Sequence, residues 1–377
     1  MTTLPAESCS DDLCALPAAP GADAEAAPAE PGPELALATG SPEEIQALFE
    51  ARGWGDGLPL VPPTEERVAE MLRTGTGSPP ADPDEVIATL PPRFGRATRR
   101  ALAVNAVLAG GRPGLLPVLV TAVRALADPV VNLRGVNATT HCVAPLVVVH
   151  GAAVQALGFN AGAGAFGPGC RANATLGRAV RLVLLHVAGA RPGDGDASTQ
   201  GGPAKYAYCI AENEAASPWE GYARSVGVDA ESAVTVACGE APHNFHDMES
   251  EAPAGILDKA ASVVATLGSN NAPVSSAEFF VVLGPEHAAT IAAAGWDRRD
   301  VQGYLFERAR LPAGLLRRSF RVTQWRPWIH ALRDDDLMPL TDHPENFRVL
   351  VAGGPGKHSC VIPSWGMTKS VTLPLAP

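Results

Sequence analysis

The chain has 377 residues, enough for one large domain or two average ones, and its 46% hydrophobic content is ample for a buried core. Its net charge is -11, from 29 basic and 40 acidic side chains, and no cluster of Lys and Arg offsets that field, which argues against nucleic acid as a partner. No stretch approaches ~18 uninterrupted apolar residues and the N-terminus lacks a basic-then-apolar pattern, so neither a membrane span nor an export signal is expected.

Residues 1–40 are Ala, Pro, Glu and Gly with almost no aromatic or β-branched content, which predicts a disordered tail. A single large α/β unit over 41–377 follows, with a sub-boundary near 269–276. A chain starting at residue 39 is therefore expected to stay soluble and melt within about 2 °C of the full-length protein. A truncated chain that melts far lower would make the tail structural. The fold begins at Ser41-Pro-Glu-Glu, where an N-cap serine, a proline and two carboxylates predict a helix through Ala51. A Gly/Pro loop leads to Thr64, the N-cap of a second helix. Apolar residues at three-to-four spacing predict helices over 97–110, 114–127, 173–189 and 252–268, the third capped by Asn173 and ended by Gly189.

Strand-length apolar runs lie at 143–151, 233–239, 278–284 and 347–354. Runs apolar at nearly every position suit strands buried on both faces. The alternation of helix and strand predicts an α/β fold, with helices packed on a mixed, largely buried sheet. No internal repeat is visible.

Histidines gather at the ends of these runs. The run 233–239 leads into His243, Asn244, His246 and Asp247. The run 278–284 leads into Glu286 and His287, and 347–354 into Lys357, His358 and Cys360. His141 and Cys142 precede the run 143–151, and His150 lies at its far end. Open α/β sheets bind ligands beyond the carboxyl ends of their strands. His141, His243, His287 and His358 are therefore expected around one cleft. The competing reading is that each is a capped residue at a strand end.

The Gly-rich segment 162–179 runs into a helix, where freed backbone N–H groups and Arg171 suit a carboxylate or phosphate. Its glycine spacing matches no nucleotide-binding motif. A plain tight turn with a solvated Arg171 explains it equally. Downstream, a strand KYAYCIAEN would put Lys205 and Cys209 on one face, and a neighbouring ammonium lowers a thiol pKa. That makes Cys209 the nucleophile candidate, with Glu212 and Asn213 close behind. The commoner fate of such a cysteine is a buried core thiol.

No H-E-x-x-H or C-x-x-C occurs, so no metal ligands are assigned and no motif names a cofactor. His243-x-x-His246 has a spacing that fits one helical turn. The seven cysteines read as free thiols, and the acidic neighbours of Cys9 and Cys14 raise rather than lower their pKa. The compartment reads as cytoplasmic.

The segments DGLPLVPPTEERV, NATTHCVAPL, RANATLGRA, STQGGPAK, CIAENEAASPW, GPEHA and GGPGKHS together resemble a little-characterised bacterial family. Its members tend to be encoded beside a small redox protein with a U/C-G-S-C motif, often a selenoprotein. The resemblance spans residues 45–375 and implies a redox link and a small redox protein as partner. It points to His141, Arg171, Asn173, Lys205, Cys209, Glu212, Asn213, His243, Asn244, His287 and His358. The chain departs from the family at Gly111, where a cysteine is usual, and at Cys142 and Cys170, where proline and an aromatic are usual.

The leading expectation is an enzyme acting on a small anionic substrate by thiol or acid/base chemistry. Arg171, Asn173, Lys205, Asn213, Asn244, His287 and Lys357 would bind substrate. Cys209, His141, His243 and His358 would react, and Glu212 would orient them. Two alternatives stay open: a metal-dependent hydrolase or lyase using the strand-end histidines, and a non-catalytic subunit docking a small redox protein. A homo-oligomer is compatible with each.

Overall fold

The computed structural model describes residues 40–73, 81–273, 276–320 and 327–375. The expected tail, with Cys9 and Cys14, lies outside them. Ser41 caps the first helix, Pro42–Ala51, in a reciprocal box with Glu44, and Thr64 caps Glu65–Leu72, as their sequence signals predict. A hairpin of β1 (Val86–Leu90) and β2 (Gly95–Thr98) follows, then the buried helices Arg99–Leu108 and Leu116–Leu126. The helix Arg171–His186 starts two residues before Asn173, so Asn173 is not its cap. Its amide instead turns back to the loop, accepting from Asn160 N at 2.8 Å and donating to Asn160 O at 2.9 Å.

The fold is α/β with mixed sheets, and the apolar runs divide between two four-stranded sheets among the described residues. The first half of the chain supplies β3 (Ala144–Gly151), a two-residue pair β4 (Arg191–Pro192) and β5 (Gly195–Asp196), β6 (Cys209–Ala211), β7 (Ser232–Gly239) and β8 (His243–His246). The second supplies β9 (Phe279–Leu283), the small pair β10 (Arg310–Pro312) and β11 (Leu337–Pro339), β12 (Phe347–Val351), β13 (His358–Pro363) and β14 (Val371–Pro374).

One sheet has the order β6-β3-β7-β14 and the other β12-β9-β13-β8. In each, the first pair is parallel and the next two are antiparallel. The two wirings are identical, and in each sheet the last strand comes from the other half. Leu116–Leu126 and Arg171–His186 pack together and cover the first sheet, as Pro253–Val264 and Arg298–Arg308 cover the second. The chain thus repeats one strand wiring with exchanged edge strands. No residue pattern in the sequence marks this repeated wiring.

The sheets stack face to face. Leu146, Val148, Ile210 and Ala237 of one meet Phe280, Val282, Leu350 and Ile362 of the other in a shared core. Helices close both outer faces over cores of their own. The result is four layers, helix–sheet–sheet–helix, so both faces of the central strands are dry, which is why they read as continuous apolar runs. Among the described residues no single helix is long and apolar enough to cross a membrane.

Candidate functional site

A cluster of polar and titratable groups forms where β7 ends and β3 begins. His141, just ahead of β3, places Nε2 at 2.9 Å from Oε1 of Glu240, just beyond β7. A carboxylate only accepts, so Nε2 carries a proton and Nδ1 is the basic nitrogen of the neutral ring. Nδ1 is buried and has no hydrogen-bond partner among the described residues. The backbone around the pair is stitched down. Ser198 Oγ donates to His141 O at 2.8 Å, Thr199 N to Thr140 O at 2.9 Å, and Tyr208 Oη to Glu240 O at 2.7 Å. Burial drives the Tyr208 phenol well above its usual pKa, so it stays a donor.

Lys205 and Arg181 form the neighbouring part. Asp196, buried, accepts from Lys205 Nζ at 2.8 and 3.0 Å, from Arg181 Nη2 at 3.1 Å and from Ser198 N at 3.1 Å. Burial opposes the Asp196 charge, but these bonds outweigh it and hold the carboxyl below its usual range. Lys205 is lowered by burial despite the Asp196 carboxylate. Two cations therefore share the Asp196 carboxylate, with the Glu240 carboxylate on the other side of the cluster balancing the second of them. A small cavity opens between Arg181, Lys205, Asn137 and Ala204. Gly177 makes this possible: a Cβ there would lie 2.5 Å from Tyr208 N, so only glycine lets the helix bring Arg181, one turn on, against this segment. Cys142 stands beside the same groups as a half-buried free thiol. Its pKa is raised, first by burial and then by Glu240, with Lys205 pulling the other way.

Of the residues read from the sequence, His141 and Lys205 fall here; the others are elsewhere. Lys205 sits in the turn Pro203–Lys205 and not on a strand with Cys209, because β6 spans only Cys209–Ala211 and the lysine is held by Asp196. Cys209 points into the helix-side core, where burial pushes its thiol far up, so it is a core thiol and not an activated one. Glu212 is buried on the far end of β3, bonded to His150 Nδ1 at 2.6 Å. Asn213 ties the two halves together, its N donating to Val351 O at 2.8 Å and its Nδ2 to Gly353 O at 3.1 Å.

The expected histidine cleft does not form. Glu240 N donates to Pro363 O at the end of β13, whereas His358 begins that strand, so His141 and His358 belong to opposite ends of it. His243 and Asn244 lie on β8, which is a strand rather than a helical turn because β13 supplies its ladder. Asn244 Oδ1 lies 3.2 Å from His358 Nδ1, and the His246 and His358 rings are 5.7 Å apart, all on the exposed edge. His287 is in the helix Pro285–Ala293 and not a loop, buried against Ser359 Oγ at 2.7 Å and Asp247 O at 3.1 Å. Burial lowers its pKa, which keeps it neutral and structural. Arg171 is exposed and donates to Gly110 O at 2.8 Å, Lys357 donates to Met248 O at 2.9 Å, and Asn173 braces its own loop.

Sequence reasoning missed Glu240, Asp196 and Arg181. Burial of Asp196 could not be guessed from its Gly-rich surroundings, and Glu240 meets His141 across 99 residues.

The thiols give a direct test of this geometry. Limiting native-state alkylation, read by peptide mass, is expected to label Cys142 and Cys170 ahead of Cys209, Cys238 and Cys360. Burial raises the last two to about 12. Glu240→Gln removes a charge that raises the Cys142 thiol. Its pKa then falls, the thiolate fraction grows, and labelling near pH 8 speeds up about threefold. Unchanged or slower labelling would separate Cys142 from Glu240.

Comparison with protein-family models, with curated proteins and with solved structures finds no match for this chain.

Proposed function

We propose that the chain is an enzyme performing proton transfer on a small anionic substrate at the His141–Glu240 pair. The observation that carries this reading is the buried, unpaired Nδ1 of a histidine fixed through its other nitrogen by a carboxylate. Such a pair holds one tautomer and presents a base, the arrangement general acid–base catalysis requires. Lys205 and Arg181 line one cavity and supply the donors that would hold a carboxylate or phosphate there. Several perturbed titratable groups in one place favour a functional site over a purely structural network. Cys142 stays protonated near neutral pH, which favours acid/base over thiol chemistry here.

The reaction need not be known to test this. The protein is incubated in D2O with pyruvate, acetoacetate and malonate, each bearing an acidic C–H, and deuterium uptake is followed by NMR. Uptake is expected with at least one of them, falling about 100-fold in His141→Gln. Lys205→Met should instead weaken anion binding, read as a lost thermal shift. No uptake with any probe, together with no anion-dependent thermal shift, would overturn the proposal.

A further inference from the structure

At the other end of β3 lies a second polar cluster that the proposed reaction does not use. His150 and Glu212 are almost wholly buried, with Nδ1 and Oε2 2.6 Å apart. His150 Nε2 is 2.8 Å from Thr235 Oγ1, and Thr235 is 2.8 Å from Thr372 Oγ1 on β14. Tyr222 N donates to both Glu212 oxygens, at 2.9 and 3.1 Å, and the Tyr222 ring stacks on His150 with centroids 5.6 Å apart. Glu214, exposed, reaches back to accept from Gly151 N at 2.8 Å. One ligand atom each from His150, Glu212 and Glu214 lies within 4.8 Å of the others.

We infer that His150, Glu212 and Glu214 bind a divalent first-row transition metal ion. Three features favour this over a purely structural network. First, two carboxylates converge on one imidazole, a donor set rich in negative charge. Two cations lie nearby: Arg224, lining the adjacent cavity, is paired with Asp229 at 3.5 Å, and the buried Arg298, which feels the Glu212 charge, spends its hydrogen bonds on Val349 O and Glu220 O, so neither bonds a carboxylate of the cluster. Second, the imidazole is oriented from behind by Thr235 and the Glu212 carboxylate by the Tyr222 amide. Metal sites hold their ligands with such outer partners. Third, a small cavity lined by His150, Gly151, Glu214, Gly221, Arg224 and Glu231 reaches two of the three ligands and gives an ion a route in, with Glu212 buried behind them. An imidazole among the ligands favours zinc, copper, iron or nickel over magnesium and calcium. Gly151 shapes the rim: it adopts φ 76, and a Cβ there would lie 2.0 Å from Glu231 O, so its N–H can point at Glu214.

The test is titration of the metal-stripped full-length chain with Zn2+ by calorimetry, with elemental analysis for stoichiometry. One ion per chain is expected, with Mg2+ not competing at millimolar concentration. His150→Asn should weaken Zn2+ by more than the about 10–100-fold that losing an outer partner costs. Glu214→Gln should weaken it at least about tenfold. The glutamine oxygen can still accept from Gly151 N, so that variant should melt with wild type when metal-free. His358→Asn, on the exposed pair with His246, should leave the titration unchanged. Far less than one ion per chain overturns the assignment. So does binding that survives His150→Asn and Glu214→Gln, or binding lost in His358→Asn.

Discussion

A chain ended at Ser370 is expected to melt at least about 10 °C below the full-length protein, or not to fold, although only its last seven residues are gone. Those residues carry β14, which completes the sheet of the first half. Val371, Thr372, Leu373 and Pro374 pair with Val236, Thr235, Val234 and Ala233. Truncation removes roughly four ladder hydrogen bonds at about 1 kcal/mol each. It also uncovers Val371 and Leu373, half-buried against the first core, at about 1 kcal/mol each. The hydroxyl of Thr235, fully buried, loses its Thr372 partner as well. The sum is about 6 kcal/mol or more against a total stability of about 5–15 kcal/mol. A thermal melt beside a chain ended at Pro374 decides it. A loss of only a degree or two would show that the exchanged strand is ornamental.

The same exchange explains what the sequence revealed and what it hid. The strands β3, β7, β9 and β12 were legible because each is buried on both faces and so is apolar at almost every position. The caps Ser41 and Thr64 were legible because a cap is a local event. The edge strands were not. His243-Asn-Phe-His246 carries no strand pattern and pairs only because β13, more than a hundred residues on, offers it a ladder. The nine-residue strand expected around Cys209 shrinks to three residues, since Lys205 is drawn into a turn by Asp196. One miss had a local signal: Gly284-Pro285-Glu286 is a helix start, with proline in the first turn and a carboxylate behind it, and it places His287 in a helix. For the site, His141 and Lys205 were legible as residue types at the ends of elements. Their neighbours Glu240, Asp196 and Arg181 were not, because only the fold, with Gly177 letting the helix in close, brings them near.

Arg348→Met is expected to cost about 3 kcal/mol, roughly 6–10 °C in melting temperature. Arg348 is the second residue of β12 and Glu278 immediately precedes β9, so this pair stands near the start of two parallel strands. Arg348 Nη2 and Nε donate to Glu278 Oε1 at 2.7 and 3.1 Å. The other carboxylate oxygen accepts from Ser370 N at 2.9 Å, one residue ahead of β14. Glu278 thus joins the second sheet to the strand that completes the first. Its side chain is 1% exposed, so removing the guanidinium leaves a buried carboxylate with only an amide to balance it. Losing one partner of a buried pair costs about 3–5 kcal/mol, and the low end applies because Arg348 is 23% exposed. The penalty belongs to the stranded charge more than to the lost attraction. The double variant Arg348→Met with Glu278→Gln is therefore expected to recover about half the loss, since its neutral amide can still accept from Ser370 N. A double variant as unstable as the sum of its singles would mean that the pair contributes packing and not charge.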